Sequence, residues 1–306
     1  MSRPRPCGMA SALLLALLPL AAPAAPALNW EQTPVSLALR NGTNTVWRLV
    51  FDPAQPKSYF HPLATPDGGV LTAFRPADHV WHRGLWWSWK FINGLNYWEE
   101  DKTTGRSQGV NELVSASVAT NADFSASAEL AFRYHPPDKP ALLTEVRRLR
   151  VSAPDTNGCY RIDWDAVFTV GAEPVKLDRT PPPAQGGPAW GGYAGLSLRF
   201  PPGFQGGAFL TSEGATTAAV SGRPARWADF HGPAAGIAIF DHPANLRHPQ
   251  PFYLSGQLPF LQPAPLFNEP LELAPRETLP VRYRVLVHPR PLSREALQAG
   301  WEEFGR

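Results

Sequence analysis

Cysteine is nearly absent from this chain. It has two, Cys7 and Cys159, and Cys7 lies in a leader-like segment, so Cys159 is left without an intramolecular partner and no disulfide framework is available. Stability must then come from a hydrophobic core, which 306 residues are long enough to build. A charge surplus is also lacking. The 28 Lys and Arg face 26 Asp and Glu, and two of the arginines, Arg3 and Arg5, fall in the leader. That balance argues against a nucleic-acid partner or an anionic membrane surface, since both need excess positive charge. Beyond residue 20 no apolar run is long enough to insert into a membrane. The G-x-S-x-G elbow, the G-x-x-x-x-G-K-[ST] phosphate loop, H-E-x-x-H and a strand–helix G-x-G-x-x-G are all missing. Cys159 has only Arg161 as a basic neighbour and does not read as a nucleophile.

The first residues carry the layout of a secretory signal peptide. Arg3 and Arg5 supply the positive segment, Met9 to Leu20 the apolar run, and Ala25-Pro26-Ala27 a small-x-small cleavage site. Residues 1–27 are therefore expected to be removed, although Ala22-Pro23-Ala24 offers a second site. The mature chain, residues 28–306, is expected to be a soluble, single-domain, exported protein, periplasmic or extracellular.

Thirty-five prolines and 25 glycines favour many turns over long helices. Val35–Leu39 and Thr45–Phe51 read as strands around an Asn41-Gly42 hairpin. Tyr59–Leu63 and Val70–Phe74 are short strand candidates around Pro66-Asp67-Gly68-Gly69. In Phe124–Tyr134 and Tyr160–Val170 apolar residues alternate with polar ones, the period of a half-buried strand. Asn111–Ala119 reads as a further strand, and Leu142–Val151 and Thr278–His288 follow the same theme. Helical periodicity appears only at the C-terminus, where Ser293 is a plausible N-cap and Leu297, Trp301 and Phe304 form one apolar stripe. The expectation is an all-β protein: a large two-sheet antiparallel β-sandwich with a C-terminal helix.

Arg75–Glu100 holds five of the eleven tryptophans together with Asp78, His79, His82 and Arg83. Two histidines three apart suit acid–base work, ligand contacts or a shared divalent metal, and they equally suit imidazoles that bond nearby carbonyls. No other cofactor is implied. Leu85–Ile92 reads as a strand with Leu85, Trp87, Trp89 and Phe91 in the core. Trp86 then lies on the opposite face, either to stack on a sugar ring or to cover a second layer. Glu99, beside Tyr97 and Trp98, is a carboxylate whose pKa aromatic neighbours can raise toward the range useful for proton transfer; it is also an ordinary surface acid.

Asp241-His242-Pro243-Ala244-Asn245, extended by Arg247 and His248, follows the strand Gly236–Phe240. It is either a stiffened functional loop or a turn held by Asp241 and Asn245. Residues 178–195 form a Pro/Gly-rich loop too long for a simple connection, and its Trp190 and Tyr193 suggest a working loop. Asp229-Phe230-His231-Gly232 and His61 are weaker candidates. If Asp78–Arg83 and Asp241–His248 meet in one concave pocket, an active site is the favoured reading.

The segments HPLATPDGG, RPADHVWHRGLWWSWKFINGLNYWEE, GGYAGLSLRF, AIFDHPANLRHPQPFY and LELAPRETLPVRYRVLVH resemble an uncharacterised bacterial family commonly labelled "methane oxygenase PmoA", a domain of unknown function. The strand pattern is also similar to the galactose-mutarotase-like supersandwich, in which His and a carboxylate act on a sugar from a concave sheet. The resemblance implies an exported protein acting on a carbohydrate or small polar ligand. In that reading His79, His82, His242 and Glu99 are the catalytic candidates, and Asp78, Arg83, Trp86, Trp190, Tyr193, Asp241 and Asn245 bind substrate. Epimerase, lyase and glycosidase chemistry suit these groups equally. The alternatives are a non-catalytic glycan-binding module and a metal-dependent oxidoreductase built on His79, His82 and His242.

Overall fold

A computed structural model describes residue 1, residues 28–217 and residues 221–306. The expected signal peptide, apart from Met1, lies outside the described residues. Among the described residues the chain is mostly β, with one α-helix, at the C-terminus. Two nine-stranded antiparallel sheets face each other, and a small four-stranded sheet completes the strands.

The first sheet runs, edge to edge, through Leu28–Thr33, Ser36–Asn41, Asn44–Val50, Tyr59–Leu63, Leu85–Ser88, Gly195–Arg199, Phe260–Pro263, Pro251–Ser255 and Arg223–Pro224. The second runs through Gly214–Thr216, Ala208–Thr211, Trp227–His231, Gly236–Asp241, Thr278–His288, Tyr160–Val170, Leu143–Val151, Ala126–His135 and Val110–Thr120. Period-two alternation explains the core between them. Leu37, Leu39, Trp47, Leu85, Trp87 and Leu198 of the first sheet meet Leu130, Phe132, Ile162, Trp164, Phe168, Val281, Tyr283 and Val285 of the second in one buried cluster. Trp87, for example, sits 5.3 Å from the ring of Phe168 and 6.2 Å from that of Tyr283. The expected hairpin forms, but its two-residue turn is Gly42-Thr43, one residue later than expected, because Asn41 still pairs with Asn44; Gly42 takes the positive φ, +57.

The helix Arg294–Phe304 starts where the sequence places it. Ser293 accepts a hydrogen bond from Ala296 N, and Leu297, Trp301 and Phe304 pack on Trp227, Ala238 and Phe240. It braces the outer face of the second sheet.

Two strand expectations are corrected. Val70–Phe74 makes only isolated bridges, because it crosses between neighbours: Leu71 N bonds Leu63 O, whereas Ala73 N bonds Arg199 O. Leu85–Ile92 is broken after Ser88, and Phe91–Ile92 leaves to pair with Leu177 and Asp178 in the small sheet. The predicted alternation therefore fails at its end, with Ile92 buried and Phe91 half-buried. The four short strands of the small sheet carry too few residues to show a period.

Candidate functional site

On the face of the first sheet that points away from the second lies a second aromatic layer. Tyr59, Trp86, Trp98 and Phe260 are buried there, with Phe74, Trp81, Tyr193 and Tyr253 packed around them. A pit of about 70 Å³ opens in this layer, lined by His79, His82, Trp98, Trp190, Tyr193, Tyr253, Leu258 and Phe260.

Adjacent central strands supply its floor. Tyr253 and Phe260 come from paired neighbours, and Tyr193 immediately precedes the strand Gly195–Arg199. Both histidines sit on a tight turn in which His79 N bonds Pro76 O at 2.9 Å and His82 N bonds His79 O at 3.0 Å. Gly84 lets that turn enter the sheet: its φ is +71, and a Cβ there would lie 2.3 Å from the carbonyl oxygen of Phe60. The Pro/Gly-rich loop is pinned by Arg179, which donates to Phe267 O and Asn268 O. It carries Trp190, 53% exposed, to the rim and Tyr193 into the wall.

The two imidazoles stack, with centroids 4.6 Å apart and planes 27° from parallel. A metal held by both would need them to splay out of this stack, because in-plane lone pairs of stacked rings do not converge. Among the described residues no group of three or more His, Cys, Asp or Glu side chains is gathered to hold an ion. Burial pushes His82 well below its ordinary pKa, with His79, Arg199 and Lys57 adding to the effect. Burial also lowers His79, against the opposing pull of Asp78. Asp78 in turn accepts a 2.8 Å bond from Arg199 Nη2, and its Oδ2 lies 3.5 Å from His79 Nδ1.

Glu99 stands behind the Tyr193 side of the pit. Tyr193 OH donates to its Oε1 at 2.9 Å, Asn96 donates to its Oε2, and Lys90 pairs with it while also donating to Tyr193 OH at 2.9 Å. Burial alone would raise the carboxyl, but Lys90, Asn96 and Tyr193 outweigh it and Glu99 lies below its ordinary range. That reverses the sequence expectation of a raised carboxyl. Burial and the adjacent carboxylate raise Tyr193, so its phenol stays protonated.

Of the residues singled out in the sequence, Asp78, His79, His82, Glu99, Trp190 and Tyr193 come together here. Arg83 and Trp86 do not reach the pit. Arg83 is fully buried, with its guanidinium on Glu100 and Gln55. Trp86 is fully buried as well and backs His82 at 5.0 Å, so it supports the site and has no free face for a sugar.

The Asp241–His248 loop does not meet this cluster. His242 lines a separate hollow of about 460 Å³ on the outer face of the second sheet, with Arg148, Arg150, Arg282 and Phe304. Asp241 is spent on structure, accepting from Asn245 Nδ2 at 2.8 Å, His248 Nδ1 at 2.7 Å and Gln250 N at 2.9 Å, while Asn245 Nδ2 also bonds Arg282 O. Asp229 is likewise held between His231 and His288, and His61 bonds Thr72.

Arg199, Lys90, Tyr253, Phe260 and Trp98 belong to the site without having been singled out. Lys90 and Trp98 lay inside the tryptophan-rich stretch. Arg199 carried no local signal, because its partner Asp78 is 121 residues away.

A family model matches residues 36–302, nearly all of the described chain, and its description is "family of unknown function (DUF6807)". The chain belongs to that family. No curated protein matches it. Among solved structures, it is similar to a polysaccharide lyase at 11% identity and a TM-score of 0.27, covering 89% of this chain and 34% of that one. The chain thus spans about a third of that lyase.

Proposed function

We propose that this member of the family is an exported protein that binds a carbohydrate or related polyhydroxylated ligand at the aromatic pit and moves protons to and from it. One observation carries the reading. Two uncharged imidazoles and a protonated phenol backed by a Glu–Lys pair line a single aromatic depression. Neutral imidazole is the form of a general base, and a phenol kept protonated is the form of a general acid. His79 takes the first role and Tyr193 the second. Glu99 holds the phenol in place rather than acting as the acid itself, since its carboxyl is ionised.

The pit is smaller than the several hundred Å³ usual for a ligand cavity. It admits one edge or substituent of a sugar ring, and the rest of the ligand lies across Trp190. Aromatic faces suit the apolar face of a pyranose. Screening purified protein on a glycan library tests the proposal, with turnover expected in the wild type and lost in His79→Ala while binding persists.

The small volume and the exposed Trp190 also favour a second reading, a glycan-binding module without catalysis. In that case Trp190→Ala abolishes binding and no glycan in the library is turned over. The alternative of a metal-dependent oxidoreductase built on His79, His82 and His242 would require residues that lie on opposite faces of the sandwich, and the description of the matching family names no oxygenase.

A further inference from the structure

The pair Asp78–Arg199 links the two histidines of the pit, and it links them through groups of opposite hydrogen-bonding character. Arg199 approaches His82 Nδ1 through Nη1 at 3.5 Å. A guanidinium has donors only, so the nitrogen it faces must present a lone pair. His82 is 4% exposed, and this is its hydrogen bond to a side chain. Its proton therefore resides on Nε2. His79 faces the other end of the pair. Its Nδ1 has no hydrogen-bond partner and lies 3.5 Å from Asp78 Oδ2, an ion-pair distance; the negative charge of that carboxylate favours the hydrogen on the nitrogen that faces it, which leaves the lone pair on Nε2. Arg199 is itself locked, with Nη2 on Asp78 at 2.8 Å and Nε on Phe200 O at 3.3 Å.

We infer that Asp78 and Arg199 impose opposite tautomers on the stacked imidazoles, so that His79 offers a proton acceptor and His82 a hydrogen-bond donor to the same ligand. This rests on the pit being the working site. It also narrows the ligand. An acceptor nitrogen and a neutral donor on rings 4.6 Å apart suit a carbon acid: a C–H next to a carbonyl or carboxyl group. His79 Nε2 takes the proton, the C–H pair becomes the new C–C π bond, and the carbonyl π pair moves onto oxygen, where His82 Nε2–H receives it. The resulting enol or enolate then takes a proton back at carbon. The ligand class is accordingly a sugar that carries a carbonyl or carboxyl oxygen, a ketose or a uronic acid. Asp78 and Arg199 are positioning residues in this scheme.

Long-range proton–nitrogen NMR of histidine-labelled full chain at pH 7.5 reads the tautomers directly, with His79→Gln and His82→Gln used for assignment. The expected result is an unprotonated Nδ1 and protonated Nε2 in His82, and the reverse in His79. In Asp78→Asn the His79 signals should move toward a mixture of tautomers. A protonated Nδ1 on His82, the same tautomer on both rings, or no change in Asp78→Asn would each overturn the inference. For the ligand class, wild-type protein is incubated in D2O with D-fructose, D-glucuronate and galacturonan oligosaccharides. Deuterium should enter one of them beside its carbonyl or carboxyl carbon, and its absence from all three overturns the assignment of the class. Because the NMR experiment needs no activity, tautomers as stated together with a failed glycan screen would overturn the proposed function and leave this pairing intact.

Discussion

Arg83 and Glu100 form a two-pronged pair with no exposed side-chain surface, Nε to Oε1 at 3.1 Å and Nη2 to Oε2 at 2.7 Å. Lys57 completes the arrangement, donating to Glu100 Oε1 and to the carbonyl oxygen of Trp98, both at 2.8 Å. Together they anchor the segment that carries Trp98 and Glu99 to the floor of the pit. Removing the carboxylate would leave two buried cations facing each other. Glu100→Ala should therefore lower unfolding free energy by about 3–5 kcal/mol in urea titrations, whereas Glu129→Ala, which breaks an exposed pair with Arg148, should cost less than about 1 kcal/mol.

If His79 is the base proposed above, replacing it should separate catalysis from binding. His79→Ala should reduce turnover of a responsive glycan by about 10²–10⁴-fold while its affinity, measured by calorimetry, stays within a few-fold. Equal loss of both would assign His79 to binding alone.

Trp190 is half exposed, so in the proposed reading it offers surface to the ligand and adds little to the fold. Trp190→Ala should weaken glycan binding about tenfold, or ~1.4 kcal/mol, without moving the melting temperature.

His242 lies on the far face of the sandwich. His242→Ala should leave turnover within the error of the wild type, and a loss comparable to that of His79→Ala would contradict the placement of the site.

Acid should act on this protein through its histidines before its carboxylates. His79, His82 and His61 all have folded pKa values below the ordinary 6.5, His61 pushed down to about 4, each chiefly by burial. The unfolded chain thus binds protons that the folded chain refuses. Their contribution to stability is fully present above pH 6.5 and is lost as pH falls toward the folded values. Melting temperature should decline between pH 6.5 and about 4, less steeply in His61→Gln. For the same reason the acid limb of kcat/KM should lie below pH 6.5, because His79 stays unprotonated past the point where free imidazole charges.

Much of the scaffold was legible because strand burial is a local property. Tyr160–Val170 and Thr278–His288 appear in the structure with the boundaries their alternation implied, and Ser293 caps the C-terminal helix. The Asp78–His82 turn was legible for a related reason, since its polar groups are contiguous. Asp241–His248 shows the limit. An aspartate, two histidines and an asparagine in a proline-stiffened loop look alike whether they face a ligand or one another, and here the carboxylate of Asp241 is consumed by its own loop.

By itself the sequence determined which side chains would be buried along strands such as Tyr160–Val170 and Thr278–His288, because a period of two needs only neighbours a few residues apart. The tertiary structure decided which polar groups would share a site. Sheet order sets Leu85–Ser88 beside Gly195–Arg199 and the latter beside Phe260–Pro263, so Arg199 reaches Asp78, and Tyr193 reaches Glu99 across 94 residues. It also turned the stack of His79 and His82 away from His242. Those meetings depend on pairings between strands far apart in the chain, and no local pattern encodes them.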